Sequence, residues 1–209
     1  HFPYAANQNS RQEWREAIAC IAADVGISEV ILSGGDPLLA SDDNLGELVT
    51  QIAAIPHVRR LRIHTRLPVV IPDRVSAGLL DAITRTELQT VVVIHCNHAN
   101  EIDNEVEQAL ARLTRRGITL LNQSVLLAGI NDSTDALTAL SERLFAAGVL
   151  PYYLHLLDKV QGAAHFDVPE ERARQLITGI SAMLPGYLVP KLVREVAGAP
   201  SKVGVGGIW

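Results

Sequence analysis

Thr90-Val91-Val92-Val93-Ile94-His95 is an unbroken run of mostly β-branched residues closed by an imidazole. A run with no polar alternation needs cover on both faces, as a strand in a parallel sheet has. Glu29–Ser33, Leu61–His64, Ile118–Gln123 and Val149–His155 read as four further strands. Helical spacing of apolar residues fills the intervals. It runs over Arg11–Asp24, then from the cap Ser41-Asp42-Asp43 through Leu45, Leu48, Ile52 and Ile55, and from Pro72 through Ile83. Later helices pass through Val106, Leu110 and Leu113 to Gly117, from Asp132-Ser133 through Leu144 to Gly148, and over Pro169–Leu184. Strand and helix recur at roughly thirty-residue intervals, the length of a βα unit. Right-handed crossovers make such a sheet parallel, and five strands with no antiparallel signal predict a partial parallel (β/α) barrel.

The chain opens on a loop and a helix, at His1. The expectation is therefore a barrel whose first strand lies in an N-terminal part outside this sequence. Nothing divides the rest. Residues 1–186 are read as the barrel core and 187–209 as a C-terminal segment of the same domain.

Composition narrows the function classes. With 48% hydrophobic and 20% charged residues the chain has the balance of a globular domain. A formal net charge of −5 argues against a broad nucleic-acid-binding surface. No apolar run approaches membrane-spanning length, and Cys20 and Cys96 are too few for a disulfide framework or for a cluster site made by this chain alone. Cytoplasm is the expected compartment.

In β/α barrels chemistry sits where strands end. These ends offer Ser33-Gly34-Gly35-Asp36, His64-Thr65-Arg66, His95-Cys96-Asn97-His98, Asn122-Gln123-Ser124, and His155 with Asp158 and Lys159 beyond it. The double glycine lets backbone approach a ligand closely, and Asp36 adds an anion suited to an ammonium group. Such a polar ring is costly to bury without a ligand. The four histidines lack metal-ligand spacing, no G-x-S-x-G elbow exists, and Cys96 reads more readily as a small buried residue than as a nucleophile. Of three lysines against fifteen arginines, Lys202 lies in a small-residue segment able to fold over the barrel mouth, a candidate Schiff-base amine. Asp158 and Glu195 would face the same mouth and select a cationic group.

Five motifs, in order, resemble the lysine 2,3-aminomutases, radical S-adenosylmethionine enzymes that also use pyridoxal phosphate. They are Leu32–Leu39, His95–Ile102, Asn122–Leu127, Pro151-Tyr152-Tyr153 and Asp158–Phe166. The opening His1-Phe2-Pro3-Tyr4 resembles the branch that supplies (R)-β-lysine for modification of elongation factor P. The resemblance implies that Ser33, Gly34, Gly35 and Asp36 cradle the amino-acid end of S-adenosylmethionine, with His95 and Gln123 lining that pocket. It implies Lys202 as the lysine that carries pyridoxal 5′-phosphate, and Asp158 and Glu195 as partners of the distant ammonium of L-lysine. A 5′-deoxyadenosyl radical would take hydrogen from C3 and the amino group would move from C2 to C3.

Departures go with it. The family's CxxxCxxC loop for a [4Fe–4S] cluster, and its arginine for the substrate carboxylate, would lie before His1. Without them the 209 residues alone are expected to be inactive. Glu195 stands where the family has Asp, and the glycine run before its lysine is Ala197-Gly198-Ala199-Pro200-Ser201. A homo-oligomer is expected. The rival readings are a non-radical Schiff-base lyase using Lys159 or Lys202, and a non-catalytic binding barrel.

Overall fold

The computed structural model describes residues 9–158, 162–196, 198–199 and 202–205, with side chains from Trp14 onward. The elements are α1 (Asn9–Ala23), β1 (Glu29–Leu32), α2 (Asp42–Ala53), β2 (Arg60–Thr65), α3 (Leu67–Val70), α4 (Ala77–Thr84), β3 (Gln89–Ile94), α5 (Asn104–Arg115), β4 (Thr119–Val125), α6 (Thr134–Ala146), β5 (Val149–His155), α7 (Glu170–Met183), β6 (Lys191–Arg194) and β7 (Val203–Gly204). The strands lie in chain order across one sheet, every pair parallel except β6 with β7. Sequential order without reversal belongs to a singly wound partial barrel, because right-handed crossovers then place every helix on one face.

The alternation of burial follows from that placement. On β2, Leu61, Ile63 and Thr65 are buried under the helices, while Arg60, Arg62 and His64 take the other face. On β4, Leu120, Asn122 and Ser124 face the helices, and Leu121, Gln123 and Val125 face inward. The apolar core forms two patches. One lies beneath β1–β4 with α2, α4 and α5, and the other joins β5 and β6 to α7.

Three expectations are corrected. The helix expected from Pro72 through Ile83 is two pieces, a 3-10 turn over Pro72–Arg74 and α4 capped by Ser76, whose Oγ accepts the Leu79 N–H at 3.1 Å, and the short α3 precedes them. Pro68 and Pro72 each lack the N–H that would continue a longer helix. The five-strand, all-parallel sheet has seven strands among the described residues. Lys191–Arg194 joins β5 as β6, and β7 folds back antiparallel upon it. Pro169 is the N-cap of α7, one residue outside the helix.

One irregularity re-aims a strand. Asn122 pairs with Pro151, but Gln123 pairs with Tyr153, so Tyr152 is an extra residue on β5. Pro151 has no N–H for the ladder at this point. The bulge flips the alternation that begins with Val149 against the helices, and His155 therefore faces the interior beside Val125.

Beneath the rim, Asn122 is 1% exposed and ties β3 to β4. It accepts the Cys96 N–H at 2.9 Å and donates to the Cys96 carbonyl at 3.0 Å and to Ser124 Oγ at 2.8 Å. Asn122→Ala strands a buried N–H and is expected to cost about 2–3 kcal/mol, read as a lower urea midpoint at unchanged slope.

Candidate active site

Parallel strands all end at one rim, and the predicted residues converge there. Where β1 runs out, Gly34 and Gly35 adopt φ of 86° and 61°, a left-handed region that glycine enters without strain. Asp36 holds this turn in place. Its Oδ1 accepts from Leu38 N at 3.0 Å and from Thr65 Oγ1 at 2.7 Å, and its Oδ2 accepts from Arg66 N at 2.7 Å. The carboxylate thus links the end of β1 to the end of β2. Three donors already occupy the anion that the sequence offered to a ligand's ammonium.

Behind this turn, Gln123 Nε2 lies 2.8 Å from His95 Nε2 across β3 and β4. The amide donates only if that ring nitrogen carries no proton. Burial, then the charge of Arg66 and the neighbouring imidazoles, lower the His95 pKa to about 4, so the ring is neutral. Gln123 Oε1 and His64 Nε2 are buried without a partner. Ser33–Asp36, His64–Arg66, His95 and Gln123 enclose a cavity of about 400 Å³, the glycine cavity.

A second cavity of about 330 Å³ adjoins it. Arg66, His95 and Gln123 line both, and its far side is made by His155, Asp158 and Glu195. The register of the β6–β7 hairpin brings Lys202 opposite Glu195. Lys202 Nζ donates to Glu195 Oε1 at 2.8 Å, lies 3.2 Å from His155 Nε2, and sits 5.5 Å from the centre of the Tyr153 ring. The Lys202 hydrogen bond draws the Glu195 carboxyl below its usual range. Burial first, and the Lys202 charge next, lower the His155 pKa to about 4. A neutral His155 accepts from the ammonium and keeps Nζ on the inner face.

Other candidates leave the site. Cys96 lies on the helix-covered face, and burial with the nearby Glu101 pushes its thiol up to about 12, which removes it as a nucleophile. His98 caps a 3-10 turn, its Nδ1 accepting from Asn100 N at 3.2 Å. Among the described residues no group of three His, Cys, Asp or Glu is placed to hold a metal, and no helix is long and apolar enough to cross a membrane. Lys159 lies outside the described residues, as do the opening His1-Phe2-Pro3-Tyr4, Ala197 and Pro200-Ser201. Arg66, quoted above only within a strand end, lines both cavities, and Tyr153, quoted only within a motif, stands beside Lys202. Their signal was position, at or beside a strand end.

No protein-family model matches the chain. Similarity to individual proteins is extensive. An L-lysine 2,3-aminomutase of Escherichia coli (strain K12) is 54% identical over 202 residues, and one of Haemophilus influenzae is 52% identical over 202 residues. Each alignment takes in 97% of this chain. Nearly the whole chain is thus similar to L-lysine 2,3-aminomutases. It spans 59% and 60% of the length of these two aminomutases. An aminomutase of Methanococcus maripaludis is 36% identical over 196 residues, covering 94% of the chain and 45% of its own length. Among solved structures, a radical SAM methyltransferase from Sphaerobacter thermophilus superposes with a TM-score of 0.59 at 16% identity, over 88% of this chain and 54% of its own. A domain of a pyruvate-formate lyase-activating enzyme from Bacteroides vulgatus gives 0.52 at 15%, over 80% and 98%. These likenesses show the fold alone, a partial parallel (β/α) barrel.

His95 and His155 set a pH dependence. Unfolded, each ring takes its proton near 6.5; folded, only near about 4. Between those values the unfolded chain binds more protons, so stability rises with pH across the window and is lost as pH falls from 6.5 toward 4. The urea midpoint should therefore drop between pH 7 and pH 5, and the double variant His95→Gln, His155→Gln should drop less.

Proposed function

We propose that this chain forms the cofactor and substrate cavities of a radical S-adenosylmethionine 2,3-aminomutase that converts L-lysine to β-lysine with pyridoxal phosphate held by Lys202. The observation that carries the reading is the shared wall of Arg66, His95 and Gln123. Two ligands in adjoining cavities meet there without a layer of water, as hydrogen abstraction between them requires.

The residues fit two of the three groups this chemistry uses. For S-adenosylmethionine there is a glycine turn with open backbone, and a cavity that already holds two buried, unpartnered polar atoms, Gln123 Oε1 and His64 Nε2. For pyridoxal phosphate there is a primary amine held at the mouth of the second cavity. For an iron–sulfur cluster there is no fit. Cys96 is buried on the helix-covered face and Cys20 is on α1 at the surface, so the described residues offer a cluster no ligand set.

When bound, the two organic cofactors supply a carbon radical and a conjugated carbonyl that accepts the migrating amino group. The chain supplies the rest. His95 stays neutral, so the wall between the ligands adds no second cation beside Arg66. His155 and Glu195 aim Lys202 Nζ into the cavity. Asp158 shares that cavity with Glu195, and a carboxylate pair at its far end selects a substrate whose side chain ends in an ammonium group. On the resemblance of its opening residues, the β-lysine formed is assigned to elongation factor P.

The test is anaerobic incubation of the natively purified protein with S-adenosylmethionine, pyridoxal phosphate, a one-electron reductant and L-lysine. β-Lysine should form only when S-adenosylmethionine is present. Borohydride should fix pyridoxal phosphate on Lys202, and Lys202→Ala should lose both product and fixed cofactor. Turnover in air without S-adenosylmethionine would replace this reading with a Schiff-base lyase, and unchanged fixation in Lys202→Ala would remove the lysine assignment.

A further inference from the structure

We propose that the ammonium of Lys202 is a built-in occupant of the second cavity's cation site. It holds Glu195 in the free protein, and a ligand's cationic group takes that carboxylate once the lysine amine has been joined to pyridoxal phosphate, so cofactor loading and cation binding are coupled. The coupling rests on the reading of Lys202 as the pyridoxal phosphate lysine and of this cavity as the place of a substrate ammonium, and it adds the order in which the two are filled.

Charges at the cavity balance only with Lys202 counted. The lining carries Arg66 against Asp158 and Glu195, while burial keeps His95 and His155 neutral, each with its pKa lowered to about 4. Lys202 Nζ brings the second positive charge, 2.8 Å from Glu195 Oε1 and 3.2 Å from His155 Nε2. The two acids are not equally open. Asp158 has no hydrogen bond or ion pair among the described residues, whereas Glu195 is bonded to the chain's own ammonium, the same chemical group that the cavity is read to select. Two ammonium groups within reach of one carboxylate repel each other, so Lys202 opposes a ligand cation at Glu195.

Cofactor loading removes that opposition. Forming a C=N bond between Nζ and the carbonyl carbon of pyridoxal phosphate expels the carbonyl oxygen as water and one proton to solvent, and leaves Nζ no N–H for Glu195 or His155. The cavity is then one negative charge richer, with Asp158 and Glu195 open together. The hairpin stays in place meanwhile. Val193 pairs with Gly204, Arg194 with Val203, and the Arg194 side chain with Glu170 at 2.7 Å, all independently of Nζ. Coupling between two sites is reciprocal, so a cation held at Glu195 favours the loaded lysine by the same factor.

The probe is N,N-dimethylbutylamine, a tertiary amine with the four-carbon arm of a lysine side chain and no means of forming a C=N bond. Equilibrium dialysis compares the natively purified protein freed of pyridoxal phosphate, the same protein loaded with it, and Lys202→Met, all without S-adenosylmethionine so that nothing turns over. Loading should tighten the amine by about 10- to 100-fold, the worth of a charge-assisted hydrogen bond. Lys202→Met should bind it as the loaded protein does, with no cofactor present, and Glu195→Gln should abolish the gain in both. A reciprocal measurement needs no variant. At sub-saturating pyridoxal phosphate the amine should raise the fraction of Lys202 fixed by borohydride, read by peptide mass spectrometry, and leave the exposed Lys191 unchanged.

Equal binding to the free and loaded wild-type protein, with no effect of the amine on fixation at Lys202, overturns the coupling. A gain in Lys202→Met without one on loading overturns it too, because the cofactor then leaves Glu195 closed. In either case the cation-site reading stands if Asp158→Asn or Glu195→Gln still weakens the amine, and falls if neither does in any loading state. Fixation at Lys191 instead of Lys202 removes the lysine assignment, and the coupling with it.

Discussion

Each parallel connection must carry the chain back past the sheet before the next strand begins, so β1 to β6 all deliver their last residues to the same rim. This constraint brings together residues that stand far apart in sequence. Ser33 and Lys202 are separated by almost the whole chain, yet both belong to the rim. The same constraint assigns the two faces: helices cover one, and the other is left for ligands. Asp36 works within it. By accepting from Thr65 Oγ1 and Arg66 N, it binds the first strand end to the second and holds the glycine turn in a conformation that exposes its backbone.

The electrostatics of the rim are sparse by design of burial. Imidazoles that would carry part of a charge near neutrality are kept uncharged, and Lys202 is matched by Glu195. What remains is a short inventory of charges on the two cavity linings: Asp36 at the glycine turn, Arg66 between the cavities, the Lys202–Glu195 pair at the mouth and Asp158 beside it. Neutral walls lower the local dielectric response, so the few remaining charges act more strongly on whatever enters. Glu195 is thereby tied to Lys202 at the edge of the second cavity.

Much of the fold was legible because its signals are local. The unalternating run at Thr90–His95 demands burial on both faces. Ser41, Asp103 and Ser133 each cap a helix where a short polar side chain can accept a free N–H. The strand-end list already contained most of the lining of both cavities. Where reading failed, the deciding contact was distant. The helix expected from Pro72 is a 3-10 turn followed by a separately capped α4, and the sixth and seventh strands exist because β5 offers an edge to β6 and β6 to β7 rather than because Lys191–Arg194 or Val203–Gly204 favour extension by themselves.

Sequence by itself determined the parallel order, the glycine turn and the identity of the chemical groups at each strand end, since these depend on residue type and near neighbours. Tertiary structure alone decided which groups are free to act. Asp36 has the composition of a ligand-binding anion, but its oxygens are filled by donors from β2 and its own loop. His155 would face the helices by strict alternation from Val149, and the extra residue Tyr152 turns it inward. Arg66 is one of fifteen arginines in sequence, and it differs from Arg62, Arg74 and Arg112 in that the packed fold brings its guanidinium no hydrogen bond or ion pair among the described residues. Such differences come from contacts across thirty or more residues, and no local pattern encodes them.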